Sequence, residues 1–394
     1  VASTFAAVRD GGSGLGPITR FDLDGFETTF AAEVKGFDPT VVGRKEHRRM
    51  DRFTQFAIVA SREAVAQSGL DIRADPTRVG VLLGTGLAGA ETFESTVEIL
   101  LTKGPRRISP FAVPMAIPNM APGMVAIDIG AKGPNFAYSS AFAGSANAIG
   151  EAARMILDDV CDAAIAGGAE APVSRMGVAG FSAMGALSTR NDDPIHAIRP
   201  FDLTRDGCVL GEAGAVLLLE DRDHALARGA TILAELVGYG ASADAFHLVA
   251  LPPDGEGLVS AMRLAIEDAG IAPDQIGYLN AHGTATEMND RVETVAIKRV
   301  FGDHAAKLPI SSTKAATGHT LGAAGSLESI IAIEAMRCGM LPPTLNQIER
   351  DPICDLYYIP NVARSASVDY VMSNSMGFGG HNAVLIYANV DRAV

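Results

Sequence analysis

Short runs of apolar, often branched residues alternate along this chain with longer Ala-rich segments whose apolar residues recur at helical spacing. The short runs predict buried strands and the longer segments predict helices. This alternation of strands and helices favours an α/β protein, in which helices cover a mainly parallel sheet. The predicted strands are residues 78–83, 162–167, 209–220, 232–239, 276–280, 308–311, 370–374 and 382–388. The predicted helices are residues 2–9, 142–158, 256–269, 290–301 and 321–338.

Predicted strands and helices alternate in both halves of the 394 residues, and small residues stand at the helix starts in each half. A chain of this length holds two or three packing units, or one large unit built from two halves. We predict two similar halves, residues 1–229 and residues 230–394. The sequence opens on the predicted helix 2–9, so we expect the first strand of the N-terminal half to be absent from it.

Charge and composition exclude several classes of protein. The chain carries 32 basic and 46 acidic side chains, a formal net charge of −14, which argues against a nucleic-acid partner. The longest weakly charged stretch, residues 110–150, is broken by prolines and by Asp128 and Lys132, so we predict no membrane span. No basic segment followed by an apolar one opens the given sequence, so we expect no signal peptide, and the four cysteines lack metal-ligand spacing. We expect a cytoplasmic protein without a metal ion.

A glycine-rich segment, Gly84-Thr-Gly-Leu-Ala-Gly89, follows the first of these strands. It matches the G-x-G-x-x-G pattern of dinucleotide-binding turns. Such turns need an acidic residue about 20 positions on, where this chain has the basic segment 103–107. We therefore interpret these glycines as residues of a tight turn or of close backbone packing.

Two histidines each follow a predicted strand. His282 opens the turn His282-Gly-Thr-Ala-Thr286, and His319 ends the segment Ser311-Ser-Thr-Lys314-Ala-Ala-Thr-Gly-His319. Ligands of such folds bind beyond the carboxyl ends of the strands, so we expect both histidines and Lys314 to converge there. Two neutral imidazoles can stabilise negative charge that develops on a carbonyl oxygen. The structural alternative is that Lys314 pairs with Asp290 or Glu293 and merely orders the site.

Near the C-terminus, Asn374-Ser-Met-Gly-Phe378-Gly379-Gly-His-Asn382 predicts a glycine-flanked loop between two strands. Its glycines allow backbone N–H groups to face a ligand and allow the Phe378 ring to move. The alternative is a β-turn with an anchoring aromatic side chain.

Together these segments resemble the elongating β-ketoacyl-acyl carrier protein synthases of class II, members of the thiolase superfamily. Two further matches are Gly104-Pro-Arg-Arg-Ile-Ser-Pro-Phe and Ala186-Leu-Ser-Thr-Arg, and the resemblance covers about residues 11–387. It implies a thiolase-like α/β fold of two βαβαβαββ halves in five α-β-α-β-α layers. It also implies a homodimer and a decarboxylative Claisen condensation of malonyl-carrier protein with an acyl thioester. No resident cofactor is expected, because phosphopantetheine arrives on the carrier protein.

The resemblance also implies roles for single residues. His282 and His319 would assist decarboxylation and stabilise the enolate, and Lys314 would be hydrogen-bonded into the site. Asp290 and Glu293 would order the site, and Thr284 and Thr286 would contact phosphopantetheine. Phe378 would be the gating aromatic whose backbone N–H helps to form the oxyanion hole, and Gly379 would belong to the same gate and hole. Ile117 would line the acyl tunnel.

The chain departs from that family at its centre. The family carries a nucleophilic cysteine at the start of a buried helix, where the helix dipole favours the thiolate. The corresponding segment is Tyr138-Ser-Ser-Ala-Phe142-Ala-Gly, which puts Phe142 at the nucleophile position. We expect acylation to be disabled and residual decarboxylation of malonyl groups to survive. The alternative is a non-catalytic or decarboxylase-only partner subunit of the chain-length-factor type.

The expected partner, an acyl carrier protein, is acidic, and so is this chain. Docking therefore requires a local basic patch. The candidates are residues 44–49, Arg52, Arg106 and Arg107, although basic residues of this kind are also common on a solvated surface.

Overall fold

The computed structural model describes residues 1–392. The helices are α1 (Ala2–Arg9), α2 (Arg52–Ser68), α3 (Ala90–Lys103), α4 (Ala112–Ala116), α5 (Met120–Ile129), α6 (Gly144–Leu157), α7 (Arg175–Ala183), α8 (Arg222–Ala227), α9 (Glu256–Ala269), α10 (Glu287–Phe301), α11 (Lys314–Thr317) and α12 (Ala324–Cys338). The strands are β1 (Gly16–Pro17), β2 (Phe30–Ala31), β3 (Val79–Gly84), β4 (Asn135–Tyr138), β5 (Ala163–Glu170), β6 (Ala213–Glu220), β7 (Glu235–Ala243), β8 (Ile276–Asn280), β9 (Ile310–Ser311), β10 (Met340–Leu341), β11 (Arg364–Ser365), β12 (Tyr370–Gly377) and β13 (His381–Ala388).

Two larger sheets organise the chain. The first has the strand order β4-β3-β5-β6 and the second has the order β9-β8-β12-β13-β7. In each sheet three parallel strands precede one antiparallel strand, β6 in the first and β13 in the second. The four strands of the first sheet thus repeat the first four of the second. Within the described residues, β7 has no counterpart in the first sheet.

The helices form three layers around these sheets. Helices α2 and α5 pack on the outer face of the first sheet, and α9 packs on the outer face of the second beside α10. Helices α6 and α12 lie between the sheets and contact strands of both. The result is five layers, α-β-α-β-α, as the family resemblance implies.

The central layer is built from small residues because it is packed on both faces. Ala146, Ala148 and Ala152 of α6 are buried in the same core as Ala332 and Ala335 of α12. A Cβ on Gly84 would overlap the backbone of Gly144, and one on Gly89 would overlap the backbone at Met115. The glycines after β3 therefore serve close backbone packing, as interpreted from the sequence, rather than a dinucleotide turn.

Most predicted elements are present, and the main correction concerns the C-terminal hairpin. Strand β12 continues through the predicted loop to Gly377, and β13 begins at His381. Only three residues connect the two strands. The glycines that indicated a long loop lie at a tight reversal, where Gly379 and Gly380 both have positive φ.

Residues 393 and 394, the last two of the predicted C-terminal half, lie outside the described residues. Among the helices of residues 1–392, none is long and apolar enough to cross a membrane.

Candidate active site

The two central helices and the second sheet direct four segments to one place. Phe142 lies in a short 3₁₀ turn, Ala141–Ala143, directly before α6. His319 precedes a similar turn, Leu321–Ala323, before α12. His282 follows β8, and Phe378 lies in the β12–β13 connection. All four side chains line one pocket of about 110 Å³.

The histidines converge, as the sequence predicts. The ring centroids of His282 and His319 are 5.3 Å apart, and the rings lie nearly perpendicular to each other. The backbone N–H of Leu321 donates to Nδ1 of His319 at 3.3 Å. The ammonium of Lys314 lies 3.4 Å from Nδ1 of His282. Because each Nδ1 faces a donor, the ring proton of each imidazole lies on Nε2.

The Nε2 atom of His319 is buried and has no hydrogen-bond partner within residues 1–392. A buried donor without a partner is costly, so this atom is available to a ligand in the pocket. Burial, reinforced by the positive charge of Lys314, holds the pKa of both His282 and His319 well below the usual value. Both imidazoles are therefore neutral donors at neutral pH.

The partner of Lys314 differs from the predicted alternative. Its ammonium pairs with Glu328 on α12 instead of Asp290 or Glu293, and both members of the pair are almost fully buried. Burial raises the pKa of Glu328 to about 7, and the charge of Lys314 opposes that rise. The sequence signal for Glu328 was a carboxylate on the buried face of an Ala-rich helix, where it needs a cationic partner.

Glu293 orders the turn that carries His282. Its carboxylate accepts the backbone N–H groups of His282 and Gly283, each at 2.8 Å, and the side-chain amide of Asn374 at 3.1 Å. Asp290, one helical turn earlier, accepts the backbone N–H of Phe201 at 2.7 Å. Both carboxylates are fully buried, and both hold backbone rather than the pocket itself.

Asp290 also lies 3.7 Å from the guanidinium of Arg205, which pairs in turn with Asp351. Neither of these partners was found from the sequence, because Arg205 lies in the long polar connection between α7 and β6. This ion network fixes the start of α10 behind the histidines.

Thr284 and Thr286 line the pocket, and their hydroxyl oxygens lie 2.9 Å apart. Ile117 does not line it. This residue is 37% exposed at the end of α4. The prediction that Ile117 belongs to an acyl tunnel therefore finds no support in the pocket of a single chain.

The Phe142 ring contacts two of the candidate site residues, His319 and Phe378. Its ring centroid lies 4.6 Å from that of His319 and 4.8 Å from that of Phe378, with edge-to-face geometry in both pairs. A third phenyl ring, that of Phe181, lies 6.2 Å from Phe142 and 6.3 Å from Phe378. Drug-sized ligands bind in pockets of about 300–1,000 Å³, so this aromatic cluster leaves room for a small group only.

The two residues assigned to the oxyanion hole differ in whether their backbone donors are free. The N–H of Gly379 donates to the carbonyl of Leu248 at 2.8 Å, so it is engaged and is not free for an oxyanion. The N–H of Phe378 has no backbone or side-chain acceptor in the part of the chain that the structure describes. Phe378 keeps a free donor at the pocket and Gly379 does not.

The basic patch is partly occupied. Arg52 is half-buried and pairs with Glu212 at 2.9 Å, so it is not available to a partner. Arg44, Arg48, Arg106 and Arg107 are exposed.

Comparisons with known proteins identify the family. The beta-ketoacyl synthase N-terminal domain matches residues 1–225, and the beta-ketoacyl synthase C-terminal domain matches residues 233–347. The chain belongs to the beta-ketoacyl synthase family. The five layers with a repeated strand order are the thiolase-like fold that the sequence resemblance implies.

Curated relatives of this family member cover almost its whole length. It is 49% identical to 3-oxoacyl-[acyl-carrier-protein] synthase 2 of Staphylococcus aureus over 389 residues, which are 98% of this chain and 96% of that protein. It is also 49% identical to the enzyme of the same name from Coxiella burnetii (strain RSA 493 / Nine Mile phase I), covering 99% of this chain and 95% of that protein.

Solved structures agree with this assignment. A beta-ketoacyl synthase from Burkholderia phymatum STM815 has a TM-score of 0.91 at 38% identity, covering 98% of this chain and 94% of that one. The ishigamide ketosynthase/chain length factor has a TM-score of 0.92 at 36% identity, covering 99% and 95%. A type II polyketide synthase ketosynthase in complex with its acyl-carrier protein has a TM-score of 0.90 at 33% identity, covering 98% and 94%.

Proposed function

We propose that this chain is a 3-oxoacyl-acyl carrier protein synthase of the elongating type whose acylation step is disabled by Phe142. In this proposal Phe142 occupies the position at which the family carries its nucleophilic cysteine. The observation that carries the proposal is the position of the Phe142 ring, directly before α6 and 4.6 Å, between ring centroids, from His319 of the histidine pair. A phenyl ring cannot form a thioester, and it fills the space next to the histidines.

No other side chain of the pocket replaces the missing nucleophile. Cys208 lines the pocket, but burial raises the pKa of its thiol to about 12. The thiolate is the reactive form, so this thiol is inert at neutral pH. Ser140 and Ser145 do not line the pocket: Ser140 donates to the side chain of Asn147 at 2.5 Å, and Ser145 accepts the backbone N–H of Ser326 at 3.0 Å.

Decarboxylation of a malonyl thioester does not need the thiol. Loss of CO2 leaves an enolate whose oxygen must be stabilised by hydrogen-bond donors. The Nε2–H groups of His282 and His319 supply such donors, and Lys314 with Glu328 holds the His282 ring in place. Protonation of the enolate carbon from solvent would give the acetyl thioester, so the expected product on the carrier protein is acetyl.

The proposed substrate is a carrier protein with a malonyl group on phosphopantetheine. Thr284 and Thr286 line the pocket wall where the pantetheine arm would enter. Docking of the acidic carrier would use the exposed arginines, of which Arg106 and Arg107 are the candidates to test. Carrier affinity that is unchanged in the double variant R106E/R107E would remove them from the docking surface.

The proposed assembly is a homodimer through β4, the edge strand of the first sheet. Among the described strands β4 pairs only with β3, and its Phe136 is 49% exposed. An exposed edge with an apolar side chain is a template for pairing with a second chain.

The experiment compares this chain with its Phe142→Cys variant, each incubated with acyl- and malonyl-carrier protein and followed by intact mass. Condensation by the variant together with acetyl-carrier protein from the unchanged chain would support the proposal. Loss of both activities would refute it. Phe142→Ser, which restores the space without a thiol, is the matched control and should not condense.

A second candidate is a partner subunit that does not acylate. Similarity to the ketosynthase/chain length factor structures favours it, because such assemblies pair two related chains. Co-expression with a cysteine-bearing homologue tests it. A stable heterodimer, with no acetyl-carrier protein formed by this chain alone, would favour the partner function over the first proposal.

A further inference from the structure

A buried carboxylate that the proposed chemistry does not use lies behind the pocket. Glu170 is the last residue of β5, and its side chain is fully buried. It has no cationic partner within the described residues. Its carboxylate instead accepts four neutral donors, the N–H groups of Gly86, Leu87 and Gly322 and the hydroxyl of Thr85.

These donors come from two separate segments. Thr85, Gly86 and Leu87 follow β3, whereas Gly322 lies in the turn that leads from His319 into α12. The two backbones touch directly, because a Cβ on Gly322 would overlap Thr85 and the N–H of Gly86. The carboxylate bridges this contact. Its Oε2 accepts from Gly322 at 2.9 Å and also from Gly86, and its Oε1 accepts from Leu87 at 3.1 Å and from Thr85 at 3.0 Å.

The turn that Glu170 holds is strained. Leu321, next to Gly322, has a φ of +45°, a conformation that is rare for a residue with a bulky side chain. Such a conformation persists only where the surroundings fix it. The hydrogen bond from Gly322 to Glu170 is made one residue after the strained Leu321. It connects this turn to β5 of the first sheet.

The same turn sets the protonation site of His319. The N–H of Leu321 donates to Nδ1, so the ring proton is placed on Nε2, which faces the pocket. Loss of the turn geometry would free Nδ1 to take the proton and would leave Nε2 without one. The donor that the pocket presents to a ligand therefore depends on a conformation that Glu170 stabilises.

We propose that Glu170 is a positioning residue, which acts through the Leu321–Gly322 turn to keep the proton of His319 on Nε2. Its effect on decarboxylation rests on the proposed function, whereas its effect on the imidazole does not. A carboxylate is required because all four partners donate, and above its pKa of about 7 the Glu170 side chain is a carboxylate. An amide has one oxygen, and its NH2 group would face two of those donors.

The test replaces Glu170 by glutamine in the full chain and labels the eight histidines with ¹⁵N. His319 is assigned by loss of its signals in a His319→Asn variant. Without any substrate, the unchanged protein should show the Nε2–H tautomer, and Glu170→Gln should shift the two nitrogens of His319 toward a mixture of tautomers. The matched control is Asp51→Asn, because Asp51 is also a buried carboxylate that accepts only neutral donors, from Phe53 and Thr92 of the outer layer.

The second readout is decarboxylation of malonyl-carrier protein. We expect kcat of Glu170→Gln to fall about tenfold to a hundredfold with little change in KM, because misplacement of a catalytic donor has effects of that size. Asp51→Asn should keep both values. If the unchanged chain does not decarboxylate, the proposed function fails and the nitrogen shifts decide this inference by themselves.

Unchanged His319 nitrogens in folded Glu170→Gln would overturn the proposal. Should that variant fail to fold, Thr85→Val takes its place, because it removes one donor and leaves the carboxylate. A smaller shift of the His319 nitrogens in the same direction would support the proposal. Unchanged His319 nitrogens in Thr85→Val would overturn it.

Discussion

The ring of Phe142 packs edge-to-face against the imidazole of His319, with 4.6 Å between the ring centroids. The phenyl ring thus lies beside the histidine whose buried Nε2 has no hydrogen-bond partner within the described residues. Phe142 also packs on Phe181 and Phe378, so its ring belongs to an aromatic cluster beside the pocket.

The first prediction concerns this cluster. Phe142→Ala should lower the free energy of unfolding by about 3–5 kcal/mol, since it removes a buried phenyl ring and leaves a cavity. The same cavity should admit a short acyl chain that the unchanged pocket rejects. Chemical denaturation and binding of a non-hydrolysable acyl-carrier protein measure the two effects. Phe93→Ala, at a ring that is 57% exposed, is the control and should have little effect on either.

The second prediction concerns the protonation of the histidines. Burial and the charge of Lys314 lower the pKa of His282 and His319, so both should remain neutral from pH 8 to pH 6. Their ring resonances should not move over that range. A transition with a midpoint near the ordinary value of about 6.5 in either ring would contradict this.

The third prediction concerns the buried pair of Lys314 and Glu328. Lys314→Ala leaves a buried carboxylate without its partner and should lower the free energy of unfolding by about 3–5 kcal/mol at pH 8. The double variant Lys314→Ala/Glu328→Gln should recover part of that loss, because no charge is then left uncompensated. Lys298→Ala, at a pair with Asp355 whose two side chains are both 41% exposed, should have a much smaller effect. If Lys314→Ala and the double variant lost the same free energy of unfolding, the uncompensated charge of Glu328 would not be the cause of the loss.

The fourth prediction concerns pH and Glu170, whose pKa burial raises to about 7. A carboxyl whose pKa is raised on folding holds its proton more tightly in the native state, so its contribution to stability is lost as the pH rises toward 7. The stability of the unchanged protein relative to Glu170→Gln should therefore fall between pH 5 and pH 8, by at most about 3 kcal/mol. Glu328 and Asp290 titrate in both proteins and cancel in the difference. A pH-independent difference would show that Glu170 has an ordinary pKa.

The fifth prediction concerns the edge strand β4. Phe136→Lys places a charge on the exposed edge and should convert a homodimer into a monomer, as measured by light scattering. Leu226→Lys, at a residue that is 52% exposed on α8, is the control and should keep the dimer. An unchanged mass for Phe136→Lys would place the dimer contact elsewhere.

Much of this architecture could be predicted from the sequence because it depends on local patterns. The periods of apolar residues predicted the α/β class, with helix 256–269 and strand 276–280 matching their observed bounds. The histidines could be placed together because each was predicted to follow a strand, and ligands of such folds bind beyond the carboxyl ends of the strands. The division at residues 229 and 230, the site roles and the absence of a resident cofactor remain predictions.

The tertiary structure decided what depends on contacts between distant segments. The sequence offered Asp290 and Glu293 as alternative partners of Lys314, yet the packing of α12 against the sheet gives it Glu328. The family resemblance assigned Gly379 to the oxyanion hole, whereas its N–H donates to the carbonyl of Leu248. Glu170 carries no sequence signal, because its importance lies in joining two backbones that meet only in the folded chain. The period of apolar residues depends on neighbouring residues, so it can be recognised in the sequence. The partner of a buried charge depends on which distant segments pack together in the core.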